Sequence, residues 1–481
     1  MSKSVLFKLV GVVMVMAFIL GACSTPTPAT QAPTPPPQIV EVTKIVMGTS
    51  IVETKQVVVT ATTAPTANPY DEKAPIKVMA DTTRAPAVDL FVKANPQYKD
   101  LIQYMTDDRS VFLNKLLLYN NVGSGYMDVI FTETNVLRLA STKQYDNFTA
   151  DLTPWIPKDV LDKFYPGANA PCIMPDGKLI CLRNDIAPEI LYFNVKNMKA
   201  WGYTVPTTWE EFYGLAQKVA KDHPGTIMGS INNWIPEKLY FVGSECPLMN
   251  PVSATQYLVN FNDPKCQRMA KMLDDLQKLG VMDLNGAFAA ATAAKFQKGE
   301  WLTWVGPCWE ADFIIKGVFL DPTKPEFAGI VGMAPMVKWA DQKQIWTGSG
   351  GGAAWSMSRH TKNPKLAAAL ILFVTTDPSV TSTAVTQSAY QPGGDAWAQA
   401  LAARSPLIAK DPDPYLAMKI MGGAIWPDML EGPPVADAVI APFAADIQAG
   451  KKTWVDASKD IQAALADQVT KAGYEVVTSK P

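Results

Sequence analysis

Short apolar strands alternate with amphipathic helices along most of this chain, and polar residues collect just past the strand ends. Ile76-Lys77-Val78-Met79-Ala80 runs straight into Asp81-Thr82-Thr83-Arg84. Helical spacing over residues 111–119 gives way to Met127-Asp128-Val129-Ile130-Phe131, which leads into Thr132-Glu133-Thr134-Asn135. This pattern predicts an α/β fold, and in open α/β sheets the carboxyl edge of the strands is where ligand groups gather. Farther on, Thr207-Thr208-Trp209-Glu210-Glu211 opens a helix with a hydroxyl cap and an acidic first turn. Helices over 268–279 and 289–298 stop at Gly280 and Gly299, and 301–305 reads as a strand before Gly306-Pro307-Cys308-Trp309. A run Gly348-Ser349-Gly350-Gly351-Gly352 precedes a strand at 353–358 and a helix at 363–373 with Pro364 in its first turn. The last ninety or so residues are mostly helical in pattern.

At 481 residues, with 48% apolar and 10% aromatic content, the chain exceeds one ordinary domain and has material for two large cores. Its formal net charge is -2 with the basic residues scattered among acidic ones, so no basic face for nucleic acid is visible. Two histidines, His223 and His360, are too few for a histidine metal cluster, and a Ser-His-Asp triad is hard to assemble. There is no Gly-x-Ser-x-Gly, and the glycine run lacks the Gly-Lys-Ser/Thr ending of a phosphate loop. No catalytic residue, metal site or cofactor is expected.

The first residues differ from the rest. Lys3 and Lys8 precede an apolar run over residues 9–20 that is too short to span a bilayer and ends Leu20-Gly21-Ala22-Cys23. Residues 1–22 are expected to be a cleaved signal, and the cysteine after small residues resembles the lipobox of bacterial lipoproteins. That resemblance implies acyl chains on Cys23, each buried methylene contributing about 0.8 kcal/mol to membrane anchoring. From Cys23 to residue 72 the chain is rich in Pro, Thr, Ala and Val with almost no aromatics, a stalk reaching roughly 40 Å as flexible coil. Within it Val40-Glu41-Val42-Thr43-Lys44 is echoed by Ile51-Val52-Glu53-Thr54-Lys55, either a small hairpin or an extended spacer, and neither carries chemistry.

Six cysteines less Cys23 leave five in a compartment that tolerates disulfides. Asp176-Gly177 is a two-residue hairpin signal, and counting outward from it sets Cys172 opposite Cys181, at bridging distance. Cys246 and Cys266 form a weaker second pair, which leaves Cys308 as a buried thiol.

Several patterns together resemble bacterial extracellular solute-binding proteins of the maltose-binding-like class, over residues 74–470. They are Asp128-Val129-Ile130; Leu152-Thr153-Pro154-Trp155; Leu191-Tyr192-Phe193-Asn194 running on to Trp201-Gly202 and Pro206-Thr207-Thr208-Trp209-Glu210-Glu211; and Phe296-Gln297-Lys298-Gly299-Glu300. Gly306-Pro307-Cys308-Trp309 and Gly350-Gly351-Gly352 with Met357-Ser358-Arg359 and Asn363-Pro364 complete the set. The resemblance implies a type II periplasmic-binding-protein fold, two lobes joined by a hinge with the ligand in the cleft between. On it, 73–184 with 326–390 make a discontinuous first lobe, 185–325 the second, and 391–481 a helical segment packing across both. It implies a monomeric, lipid-anchored protein on the extracytoplasmic face of the membrane that delivers a solute, a carbohydrate and in particular an oligosaccharide, to an ABC permease. Cys308 and Glu310 beside Trp309, and the cysteine pairs, depart from that pattern. A ligand-presenting partner of a membrane sensor, and a secreted carbohydrate-active enzyme using two carboxylates, are the rival readings.

A sugar site needs aromatic platforms for CH faces and planar polar groups for hydroxyls. By position in the family pattern Trp309 is the expected platform, with Trp234, Trp304 and Trp426 as companions, each otherwise a core or hinge residue. Asp81, Arg84, Thr132 and Glu133 follow strand ends and are candidates for hydroxyl contacts. Gly351 and its neighbours allow close backbone approach, or form a tight inter-lobe turn. Tyr390, opening Gln391-Pro392-Gly393-Gly394, marks a third crossing between lobes, and Asp428 beside Trp426 is placed to reach the cleft.

Overall fold

The computed structural model describes residues 70–231, 237–253, 255–427 and 436–479. Residues 1–69, which hold the expected signal, Cys23 and most of the expected stalk, lie outside the described residues, as do Trp234 and Asp428.

Two sheets organise two separate cores. In the first sheet, β1 (Ile76–Ala80) lies between β2 (Ile102–Thr106) and β3 (Val129–Glu133), all parallel. The strand Ala353–Met357 then runs antiparallel between β3 and β4 (Leu182–Arg183). The second sheet has β5 (Glu189–Asn194) at its centre, antiparallel to Thr303–Pro307 on one side and Val331–Ala334 on the other. β5 and Thr303–Pro307 are buried at every position, so they read as continuous apolar runs rather than alternating ones. β2 has the opposite character: every residue from Gln103 to Thr106 is exposed, because it is the edge of its sheet. Its Tyr104 and Met105 are therefore exposed apolar side chains, and the strand shows neither a clean alternation nor a continuous apolar run.

The helices begin where the local chemistry says they should. Thr208 and Glu211 form a reciprocal capping box at the start of Trp209–Asp222, satisfying two donors that the first turn leaves over. Asn363 accepts from Leu366 N to open Pro364–Thr376, and Gly299 in the left-handed region closes Ala290–Lys298. Two segments beside the second core wind as π-helical turns instead, Glu237–Phe241 and Ala311–Ile315.

The buried residues sort into two clusters. One gathers side chains from residues 76–186 and 353–374, joined by Ala389 and Ile425; the other gathers residues 187–339 and 397–469. This corrects the division expected from the sequence at two places. Phe327, Val331, Met333 and Trp339 pack in the second core because Val331–Ala334 pairs with β5, so the stretch from 326 to 339 belongs there rather than to the first lobe. The C-terminal helices Ala436–Gln448 and Trp454–Lys471 also pack mainly in the second core, where buried Asp274 accepts from the backbone N of Trp454 and Val455.

Both cysteine pairs are bonded, Cys172 to Cys181 across 5.0 Å between Cα atoms and Cys246 to Cys266 across 4.6 Å, one pair in each core. Cys308 is free and buried. The hairpin register differs by one residue from the two-residue turn expected at Asp176-Gly177. Gly177 N bonds Met174 O and Met174 N bonds Lys178 O, so the loop holds three residues, and Ile173 faces Leu179. Gly177, at φ +85°, takes up the extra residue as a left-handed bulge. The buried Arg138 guanidinium donates to Pro171 O and Ile173 O, 3.1 and 2.9 Å away, and pins the hairpin base from the side.

Replacing both Cys172 and Cys181 by Ser is expected to lower the unfolding free energy by about 2–3 kcal/mol, the chain-entropy value for a loop of this length. Urea unfolding followed by tryptophan fluorescence measures it; a loss under about 1 kcal/mol would mean that the Arg138 contacts hold the hairpin unaided.

Candidate functional site

The chain passes between the two cores in adjacent segments that hydrogen bond to each other. Ile186 N donates to Gln387 O and Ala389 N to Asn184 O, joining the crossing at 184–189 to that at 386–389. Gly350 N donates to Ala187 O, Ala187 N to Ser349 Oγ, and Glu189 N to Thr347 Oγ1, joining it to the crossing at 347–352. Trp426 N donates to Thr347 O, adding a fourth segment at the edge. The third crossing therefore runs just before Tyr390 rather than through it, and Gln391–Gln399 is already helix.

Arg183 sits at the centre of this bundle, 3% exposed. Its Nε donates to Asp185 O, and its Nη2 donates to Ser349 Oγ and Gly351 O. Gly352 has φ +92°, and a Cβ there would stand 2.5 Å from Arg183 Nη2 and 2.7 Å from Asp185 O. The glycine run is thus required by the packing of crossing on crossing, and it also bares backbone toward the space between the lobes.

That space is a cleft of about 550 Å³ with three unlike sides. The first-lobe side is built at the carboxyl ends of β1, β2 and β3 and is charged. Arg84 Nη2 is 2.9 Å from Asp185 Oδ2, Arg109 Nη1 is 2.9 Å from Glu133 Oε1, and Asp81 lies 3.5 and 3.4 Å from the two guanidinium groups. Arg84 also lies over the Phe131 ring, 4.9 Å from its centre. Asp185 accepts from Ala353 N as well, so this lattice of charges is tied to the crossings. The floor is Asp185, Gly350–Gly352 and Thr386. The second-lobe side is Trp309, Phe288, Phe313, Ile314 and Val318, with Lys238 at its inner end. Trp309 Nε1 donates to Gly350 O at 2.7 Å, which fixes the indole edge to the floor and leaves its ring as a wall.

Of the residues singled out from the sequence, Arg84, Glu133, Trp309 and Gly351 line the cleft. Asp81 stands one layer back and orients both arginines. Thr132 is fully buried and its hydroxyl donates to Glu133 Oε2, so it positions Glu133 and does not face the cleft. Trp304 is fully buried in the second core, where Nε1 donates to Glu310 Oε2 at 2.7 Å; inward orientation from the sheet decides this. Tyr390 packs edge-on to Phe164 in the first core, and Trp426 borders a small void behind Arg183 and Ser349 rather than the cleft. Arg109, Asp185, Lys238, Phe288 and Phe313 were not singled out. Arg109 follows β2, whose Ile-Gln-Tyr-Met-Thr has neither a clean alternation nor a continuous apolar run, whereas Asp185 directly follows the Arg183-Asn184 pair at the expected lobe boundary, a position that could have drawn notice.

Behind the aromatic wall lies a buried acidic layer. Glu189 and Glu310 are both fully buried, and neither carboxylate oxygen of Glu189 has a hydrogen-bond partner among the described residues. Burial, reinforced by the neighbouring Glu310 charge and opposed by Lys238, pushes the Glu189 carboxyl well above the ordinary range. Burial likewise pushes the Cys308 thiol up to about 12, so it stays protonated and unreactive. Among the described residues no cluster of His, Cys, Asp or Glu is arranged to hold a metal ion.

Because Glu189 is protonated more readily folded than unfolded, its contribution to stability is full below its ordinary value of 4.5 and is lost as pH rises toward its folded value. Glu189→Gln, which keeps the shape without the titration, is expected to be more stable than the wild type at pH 8 and to lose that margin at pH 4. Urea midpoints at the two pH values test this; an equal difference at both would mean Glu189 is ionised in the native protein.

The described residues contain no helix long and apolar enough to cross a membrane. No protein of curated function matches the sequence. Solved structures do match in fold. The galacto-N-biose/lacto-N-biose I-binding protein of an ABC transporter from Bifidobacterium longum is 19% identical with a TM-score of 0.63, covering 85% of this chain and 100% of that one. The sugar-binding protein MalE of Xanthomonas citri is 13% identical with a TM-score of 0.66, covering 83% and 98%. A cyclic alpha-maltosyl-1,6-maltose binding protein from Arthrobacter globiformis is 16% identical with a TM-score of 0.64, covering 83% and 99%. At these identities the likeness establishes the two-lobed fold. The profile of the bacterial extracellular solute-binding protein family matches residues 77–381, well over half of the chain, and the chain belongs to that family.

Proposed function

We propose that this protein captures a carbohydrate, in particular an oligosaccharide, in the cleft between its lobes and delivers it to the membrane subunits of an ABC importer. The observation that carries the reading is the pairing of opposite walls. Trp309, tethered edge-on to Gly350 O, offers an aromatic face to the CH face of a pyranose. Facing it, Arg84, Arg109, Glu133 and Asp185 offer planar donors and acceptors to the hydroxyls at the ring edge. These charges are already mutually paired, which suits a neutral polyol better than an ion. The structural relatives named for sugars support the same class. Anchoring through lipid on Cys23 is part of the proposal and rests on the small residues that precede it.

A thermal-shift screen against mono- and oligosaccharides, polyamines and phosphate esters is expected to raise the melting temperature with one sugar class and without turnover. Trp309→Ala is expected to weaken that ligand roughly 30-fold or more. Shifts confined to polyamines or phosphate esters would overturn the carbohydrate assignment, and product formation would overturn the binding role. Metabolic labelling with palmitate should mark the wild-type chain and not Cys23→Ser; equal labelling would place the lipid elsewhere.

A further inference from the structure

The second-lobe side of the cleft is more apolar than a hydroxyl-rich ligand requires. Among the described residues the two exposed phenylalanines of the chain, Phe288 at 67% and Phe313 at 50%, both line this cleft, and Val318 at 43% lies with them. Clustered exposed apolar surface at a concave site marks contact with a partner, since each group alone would otherwise be hydrated at a cost. All three line the cleft with Trp309, and the Phe313 ring centre is 6.3 Å from that of Trp309, at 80° to it, on the π-helical turn Ala311–Ile315. Phenylalanine and valine bring no polar tip, so among the described residues this wall offers, beyond Trp309, no side-chain donor or acceptor for a second ring's hydroxyls apart from Lys238. The opposite wall is where the hydrogen-bonding groups are concentrated.

We infer that the physiological ligand is a glycoside carrying an apolar substituent, an aryl or alkyl aglycone, whose sugar lies between Trp309 and the Arg84–Asp185 pair and whose substituent covers Phe288, Phe313 and Val318. This rests on the carbohydrate reading and names the ligand's other half. The mixed surface follows from it: the charged wall reads the sugar edge, and the apolar wall receives a group with no hydroxyls to satisfy.

Isothermal titration of the full chain with matched pairs, disaccharides such as maltose and β-1,6-galactobiose and their p-nitrophenyl and benzyl glycosides, tests it. For the sugar that binds, the aryl glycoside is expected to bind at least tenfold more tightly than the free sugar. In Phe288→Ala with Phe313→Ala that ratio should fall to about one, a quotient insensitive to any loss of folded protein. A ratio near one in the wild type, with the free sugar bound, would overturn the inference and leave the carbohydrate reading standing. If neither member of any pair binds while another solute class does, both fall together.

Discussion

The hydrogen bonds of Arg183 hold the rest of the arrangement in register. One guanidinium, deeply buried, reaches Asp185 O on the first crossing and Ser349 Oγ and Gly351 O on the second. Fixing Asp185 fixes the carboxylate that orients Arg84, and fixing Gly351 sets the backbone beside Gly350 O, to which Trp309 is tethered. A single side chain thus connects the charged wall, the floor and the aromatic wall. Buried charge is costly unless its donors are used, and here several are used on backbone whose geometry matters. The glycine at 352 is the complement of that choice, since any side chain would occupy the space the guanidinium needs.

The two walls have different physical origins. The charged one is a product of topology: parallel strands β1, β2 and β3 end together, and their following loops deliver Arg84, Arg109 and Glu133 to the same edge. The aromatic one combines Trp309, just past a buried strand, with Phe313 on the π-helical turn that follows and Phe288 from another loop, and Glu189 and Glu310 form a buried acidic layer nearby. Removing a carboxylate from water raises its proton affinity, which pushes Glu189 toward its neutral form, while Glu310 accepts from the indole of Trp304.

Much of this was legible in the residues themselves. Strand ends followed by polar residues located Arg84 and Glu133, and the Gly-Pro-Cys-Trp segment located Trp309, because local pattern and global position agree there. What failed to show depended on direction rather than on identity. Trp304 and Trp309 are five residues apart, yet one points into the sheet core and the other into the cleft, and the strand-to-turn transition between them decides which. Thr132 and Glu133 are adjacent at the end of β3, yet Thr132 is buried and its hydroxyl donates to the Glu133 carboxylate, while Glu133 alone lines the cleft. β2 is hidden because an edge strand exposed at most positions need keep no regular period, its Ile-Gln-Tyr-Met-Thr being mixed, and Arg109 lies just beyond it. The hairpin at Asp176-Gly177 was placed correctly but one residue short, since Pro175 joins the loop.

The two disulfides close loops wholly within one core or the other, and among the described residues no disulfide joins the cores, which the backbone crossings connect. Oxidation therefore hardens each jaw while leaving the bite between them to the backbone crossings and the hydrogen bonds that join those crossings. The durability of each lobe and the setting of one lobe against the other are thereby placed under separate chemical control, so that one can be strengthened without altering the other.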